Sequence, residues 1–311
     1  MIVAVKTPSA HKAAPDALPP EVRPGQSTLL LQELHILTRD GKLNQDSRRK
    51  LKQVYHLYQF IEPLLNAIRA DHPNVSLVDH GAGKSYLGFI LYDLFFKGLA
   101  PQDKQGAHIY GIETREELVR KSAELAKKLG FDDGMSFLPL SVAESTTSQL
   151  LPETVDIVTA LHACNTATDD AIDFALKKRA QYMVLVPCCQ AEIASVLKKN
   201  KGRDLGKSAL TEIWRHPIHT REFGSQVTNV LRCLQLEAHG YHVNVTELVG
   251  WEHSMKNELI IATYKNLPRK RPTERLREML STLGLEEMGQ RFYTSQLERA
   301  ESFATPSSEP S

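Results

Sequence analysis

Val78-Asp79-His80-Gly81-Ala82-Gly83-Lys84-Ser85-Tyr86-Leu87-Gly88 is the stretch that decides the fold. Ser76-Leu77-Val78 is short, apolar and partly β-branched, whereas Tyr86-Leu87-Gly88-Phe89-Ile90-Leu91-Tyr92 spaces its apolar residues as a helix does. The glycines therefore fall where a strand becomes a helix. Gly81 and Gly83 let the backbone bend sharply and approach a ligand with no Cβ in the way, and the helix that follows presents unpaired N–H groups at its positive end. A junction of this kind is a ligand site.

Two nucleotide-type readings compete, and counting separates them. A phosphate-binding loop G-x-x-x-x-G-K-[ST] would end in Gly83-Lys84-Ser85, but its first glycine falls at Val78. The pattern D-x-G-x-G is met in full by Asp79, Gly81 and Gly83. Here the chain resembles the class I S-adenosylmethionine (SAM)-dependent methyltransferases, whose first motif has this form at the end of strand one. His108-Ile109-Tyr110-Gly111-Ile112 is a second strand ending in Glu113, and Arg115 to Leu129 reads as an amphipathic helix. An acid at the end of strand two lies beside the ligand crevice of an open α/β sheet and can accept both ribose hydroxyls. NAD-binding folds share this logic. Tyr86 stands where a dehydrogenase would carry the third glycine of G-x-G-x-x-G, which favours SAM over NAD.

Val155 to Leu161 forms a strand followed by His162-Ala163-Cys164-Asn165-Thr166-Ala167-Thr168-Asp169-Asp170, and Gln181 to Val186 forms another that ends in Pro187-Cys188-Cys189-Gln190. With D-x-G-x-G-K-S-Y-L, the motifs L-H-A-C-[ND]-x-A-T-D and V-P-C-C-Q resemble one branch of the methyltransferase-like proteins that includes RNA-directed members, over about Arg48 to Tyr264. That resemblance implies a Rossmann-like α/β fold with a mostly parallel seven-stranded sheet, its last strand antiparallel, and helices on both faces. It further implies SAM across the carboxyl ends of strands one, two and four, held by Asp79, Gly81, Ala82, Gly83, Glu113, Leu161 and His162. By the same analogy strand three is Met135 to Leu140, with Glu144 or a nearby amide approaching the adenine. Tyr241 to Val249 and Glu258 to Tyr264 supply a closing hairpin.

For chemistry, a ribose 2′-O-methyltransferase needs a base, and Lys84 and Asp169 are the candidates at the strand ends. Cys188, after Pro187, fits the outline of a thiolate that adds to a pyrimidine ring, but the favoured reading is that Cys164, Cys188 and Cys189 simply line the SAM and substrate pocket. The amino-methyltransferase signature [DN]-P-P-[YF] is absent after strand four, which argues against exocyclic amines as targets. His162, Cys164, Cys188 and Cys189 are zinc-ligand types without C-x-x-C spacing, so no metal is expected.

The 311 residues carry a net charge of +1, which gives no global attraction to nucleic acid or acidic lipid, and no apolar run is long enough for a membrane span. The lack of a secretory segment and four cysteines without a disulfide pattern suggest the cytoplasm. Residues 1–26 read as a mobile segment, 27–70 as a helical extension, 71–265 as the methyltransferase domain with a substrate-side insertion at 190–240, and 266–311 as a basic helical segment with a mobile tail. Basic clusters at Arg48, Arg49, Lys50 and Lys52 and at Lys265 to Arg271 bracket the domain and suit phosphate; ordinary solvated helix ends are the alternative. In the insertion, His219, Arg221 and Arg232 are candidate contacts to a nucleotide, with structural ion pairs as the alternative. The expected function is SAM-dependent methyl transfer to a macromolecule, with RNA as partner. A protein or small-molecule methyltransferase, a SAM-binding module without catalysis, and more remotely a nucleotidase remain open, as does the oligomeric state.

Overall fold

The computed structural model describes residues 18–100, 106–161, 166–187, 191–199, 212–213, 215–248 and 258–293. The chain divides into two compact units between Lys52 and Gln53. In the first, α1 (Thr28–Glu33) starts at Ser27, whose hydroxyl accepts the N–H of Leu30 at 3.2 Å. Asn44 accepts the N–H of Ser47 at 2.8 Å at the start of α2 (Gln45–Asp71), supplying one of the acceptors that a helix start lacks. Two members of the first basic cluster are already paired: Arg48 with Glu21 at 3.2 Å and Arg49 with Asp46 at 3.6 Å.

The second unit is built on β1 (Ser76–His80), α3 (Tyr86–Leu91), β2 (His108–Ile112), α4 (Glu116–Leu129), β3 (Met135–Leu138), α5 (Val142–Thr147), β4 (Ile157–Leu161), α6 (Ala167–Lys177), β5 (Tyr182–Val186), α7 (Glu192–Lys199), α8 (Pro217–Ala238), β6 (Tyr241–Glu247), β7 (Glu258–Tyr264), α9 (Lys270–Thr282) and α10 (Gly289–Phe292). The seven strands lie in the order β3-β2-β1-β4-β5-β7-β6. β1 to β5 are mutually parallel, and β7 runs antiparallel to both β5 and β6. The order reverses at β1, flanked by β2 and β4, so the carboxyl ends of β1 and β4 open a crevice at the topological switch point.

Apolar strands fix this arrangement by being buried on both faces. Val78, Val158, Ala160, Met183, Leu185, Ile260 and Ala262 pack on Ile172, Phe174 and Ala175 of α6 and Leu236 of α8. α7, α8 and α9 share a further core through Ile193, Leu197, Val227, Leu231, Leu276 and Leu280. Gly224 permits the close approach of α7 and α8: a Cβ there would stand 2.7 Å from the backbone nitrogen of Ala194.

Boundaries differ from the sequence reading where local bonds turn the chain. β3 stops at Leu138 because Leu140 donates back to the Leu138 carbonyl at 3.0 Å. β4 begins at Ile157, two residues later than expected, since Val155 donates to Lys178 instead of joining the ladder. α8 is longer than expected from Ile218 to Cys233; Pro217 suits its first turn, where the missing N–H has no helical partner to lose. β6 is described to Glu247, and Val249 lies outside the described residues.

Candidate active site

The carboxyl end of β1 delivers Asp79 and His80 into the glycine turn. Asp79 is 2% exposed, and its register partner Thr159 in the middle of β4 donates its hydroxyl to Asp79 Oδ1 at 2.7 Å. Burial pushes the Asp79 carboxyl up to about 7, and the Thr159 bond opposes that rise. Gly81 and Gly83 have φ of +65° and +58°, the left-handed region in which a side chain is strained.

The N–H groups of this turn are engaged by the neighbouring strand. Ala82 donates to the Ile112 carbonyl at 3.0 Å, and Gly83 donates to Glu113 Oε2 at 3.0 Å. Parallel pairing of β1 and β2 carries the end of β2 across the turn and supplies these acceptors. Glu113 also receives the backbone N–H of Arg115 at 3.0 Å and its side chain through Nε to Oε1 at 3.0 Å and Nη2 to Oε2 at 3.1 Å. The Arg115 guanidinium, with the Gly83 N–H adding to it, holds the Glu113 carboxyl down to about 2 against the opposing effect of burial. Glu113 is thus an anion at neutral pH.

Several features suit an adenosyl cofactor. The position of a Cβ on Gly81 has nothing within 4 Å, leaving an open cradle beside the turn. On β2, Gly111 keeps the backbone clear: a Cβ there would meet Phe137 at 2.8 Å and lies 3.5 Å from Ala82. Glu113 offers an ionised bidentate acceptor of the kind that holds vicinal hydroxyls. Among the described residues, the buried Nε2 of His80 and Oγ of Ser85 have no hydrogen-bond partner, so polar capacity is left at the turn.

Residues 49–196 match the model of a family described as a methyltransferase domain. This segment is similar to methyltransferase domains. Among curated relatives, the glutathione S-transferase C-terminal domain-containing protein of Xenopus laevis is 23% identical over 241 residues, covering 72% of this chain and 36% of its own length. The protein of the same name from Bos taurus is 24% identical over 240 residues, covering 72% of this chain and 34% of its own. The chain spans about a third of the length of these curated relatives. The SAH-bound crystal structure of magnesium protoporphyrin IX methyltransferase from Synechocystis PCC 6803 is similar at 18% identity and a TM-score of 0.40, over 77% of this chain and 96% of that one.

At this domain's carboxyl edge the structure brings together Asp79, Gly81, Ala82, Gly83, Lys84 and Glu113, with half-buried Leu161 ending β4 and Lys84 exposed beside the turn. His162, Cys164, Cys188 and Cys189 lie outside the described residues. Glu144 closes a capping box, its carboxylate receiving Ser141 N at 2.8 Å and Ser141 Oγ at 2.6 Å, so its side chain is occupied at the start of α5.

Arg232 and Asp169 are a correction. Expected at the substrate and as a base, they instead meet each other inside the fold: Arg232 is 0% exposed and donates through Nε to Asp169 Oδ1 at 2.5 Å. Arg232 Nη1 also donates to Asn229 at 3.1 Å, and Arg291 stands 3.8 Å from the other Asp169 oxygen. A guanidinium without solvent access cannot grip a substrate phosphate; this pair holds α8 to α6. His219 and Arg221 are exposed near the start of α8, and Arg221 contacts Glu222 at 3.1 Å.

The sequence reading missed Thr159 and Arg115. Thr159 is signalled by a hydroxyl amid the apolar run Ile157-Val158-Thr159-Ala160-Leu161, and Arg115 by its place two residues after the acid. Neither signal is distinctive without the register between β1 and β4 or the turn after β2.

Proposed function

We propose that the protein is a SAM-dependent methyltransferase acting on RNA. The observation that carries the methyl-transfer reading is the Glu113 carboxylate, ionised and fixed on the Gly83 N–H at 3.0 Å beside the open Gly81 cradle at the switch point of the sheet. SAM supplies a methyl group on a positively charged sulfur, which a nucleophile displaces in line. Glu113 accepts the ribose hydroxyls, Gly81 to Gly83 keep the backbone close to the cofactor, and Asp79 fixes the turn through Thr159.

RNA as the acceptor is supported by the resemblance of the motifs to a branch of methyltransferase-like proteins that includes RNA-directed members and by the basic segment after β7. Lys265, Arg269, Lys270 and Arg271 are all exposed there and make no ion pair among the described residues, leaving their charge available to phosphate. Lys84, exposed at the turn, is the base if the acceptor is a ribose hydroxyl, whereas Cys188, directly after Pro187 in sequence, would add to the ring if the acceptor is a pyrimidine carbon.

Incubation with methyl-labelled SAM and separated RNA, DNA, protein and metabolite fractions tests the proposal. Label entering RNA and lost in Asp79→Ala and Glu113→Ala variants is the expected result. Label confined to protein or metabolites overturns the RNA acceptor, and SAM binding without transfer to any fraction overturns the enzyme.

A further inference from the structure

At the opposite edge of the sheet from the SAM turn, three connections meet around a cavity of about 240 Å³ lined by Leu176, Arg179, His239, Tyr241, Tyr264 and Arg269. Leu176 and Arg179 come from the end of α6 and the link to β5, His239 and Tyr241 from the turn between α8 and β6, and Tyr264 and Arg269 from the end of β7 onward. Leu176, His239 and Tyr241 are buried, and the Tyr241 hydroxyl is committed to the Ala180 carbonyl at 2.6 Å.

The two guanidinium groups on this cavity are not neutralised. Arg179 makes no ion pair among the described residues. Among the described residues Arg269 Nη2 donates only to neutral acceptors, Tyr264 Oη at 3.3 Å and Asn266 Oδ1 at 3.4 Å. Asp173, an acid whose charge reaches His239, is already held by Lys177 at 2.6 Å. Net positive charge is therefore left facing the cavity.

Both arginines are also held in place by the backbone. Lys265 and Leu267 donate to the Gly240 carbonyl at 3.2 and 3.0 Å, folding the segment over Gly240. Arg269 Nε then lies 3.3 Å from where a Gly240 Cβ would stand. Arg179 has a φ of +53°, a conformation natural to glycine that a long side chain adopts only when its surroundings enforce it. Two forked donors on one concave surface match the tetrahedral oxygens of a phosphate, and the Tyr264 ring, 42% exposed, offers a face on which a base can stack.

We propose that this cavity is a nucleotide phosphate site, separate from the SAM site, with Arg179 and Arg269 as its phosphate ligands. The phosphate belongs either to a free mononucleotide or to a nucleotide within RNA.

The test is calorimetric titration of the SAM-free protein with inorganic phosphate, adenosine 5′-monophosphate and a short unstructured RNA. Wild type is expected to bind at least one probe, with affinity falling about tenfold or more in Arg269→Ala and in Arg179→Gly, a change that relieves the backbone bend while removing the charge. Asp79→Ala should bind as wild type does, which keeps this result independent of the methyl-transfer reading. Binding of the monophosphate but not RNA identifies a free nucleotide, and the reverse identifies RNA. Absence of binding to all three probes, or equal binding by the Arg179→Gly/Arg269→Ala double variant, overturns the site.

Discussion

Gly83 and Glu113, thirty residues apart in sequence, are joined by a backbone N–H donated to a carboxylate oxygen at 3.0 Å. The turn after β1 and the acid after β2 are thereby one structure. Replacing Glu113 by Gln keeps an acceptor for Gly83 but removes the charge on the ribose side. SAM affinity should fall by about ten- to a hundredfold, as expected for the loss of charge-assisted hydrogen bonds, and the melting temperature at neutral pH should fall as well, because the charge that Arg115 and the Gly83 N–H stabilise in the fold is gone. Calorimetric titration with SAM decides it, and unchanged affinity would remove Glu113 from the site.

Arg115 covers the same carboxylate with a side chain that is 67% exposed. If Glu113 accepts the ribose hydroxyls as proposed, they compete with the guanidinium for the same two oxygens and binding loosens this pair. Arg115→Ala should tighten SAM binding by up to about fivefold at low salt, the range of an exposed ion pair of ~1 kcal/mol, and the gain should shrink as salt rises. Weaker binding in the variant would mean that the arginine serves the cofactor directly.

Asp79 makes stability depend on pH in an unusual direction. Folded, its carboxyl keeps a proton up to about 7, whereas the unfolded chain releases it near 3.8. The folded state is therefore favoured below pH 4 in this respect, and that contribution is lost as pH rises from about 4 to 7. Asp79→Asn, which still accepts from Thr159, should raise the melting temperature at pH 8 and change it little at pH 4. The difference in stability has a ceiling of ~4 kcal/mol. Melting curves at the two pH values check this, and a variant less stable than wild type at pH 8 would contradict it.

Arg232 is a stability residue in this structure. Arg232→Ala would leave Asp169 buried beside a cavity and should cost about 3–5 kcal/mol in urea unfolding. Arg232→Met combined with Asp169→Leu should recover most of that loss, because an apolar pair of similar size needs no solvation. A single variant that unfolds like wild type but binds RNA more weakly would restore Arg232 to the substrate.

Gly224→Ala should destabilise the chain by about 1–3 kcal/mol, since the added methyl meets the Ala194 backbone of α7, which no rotamer change can move. Urea midpoints measure it, and a neutral result would show that α7 and α8 separate freely.

The parts of the site that read directly from sequence are those imposed by the backbone. Asp79, Gly81, Gly83 and Glu113 are each demanded by a turn or a strand end, and such demands leave fixed spacings. The seven strands read well for the same reason, because burial on both faces requires short apolar runs. Arg232 and Asp169 did not, because their meeting depends on the rotation of α8 over α6 and nothing in either local sequence reports it. Thr159 needed the register of β1 on β4, and the cavity at Arg179 and Arg269 needed three connections from distant parts of the chain to converge.

The position of β7 between β5 and β6 also orders events in time. The chain reaches β6 before β7, yet among the described residues β6 pairs only with β7. Until Tyr264 has been synthesised, β6 has no partner and the flank of β5 is bare, so two rows of open N–H and C=O groups are presented at once. A ribosome pausing between Glu247 and Glu258, or a truncation there, would leave a nearly complete domain with two strand edges able to template pairing with other chains. β7 covers the flank of β5 and one flank of β6 at once, leaving β3 and β6 as the edges of the sheet.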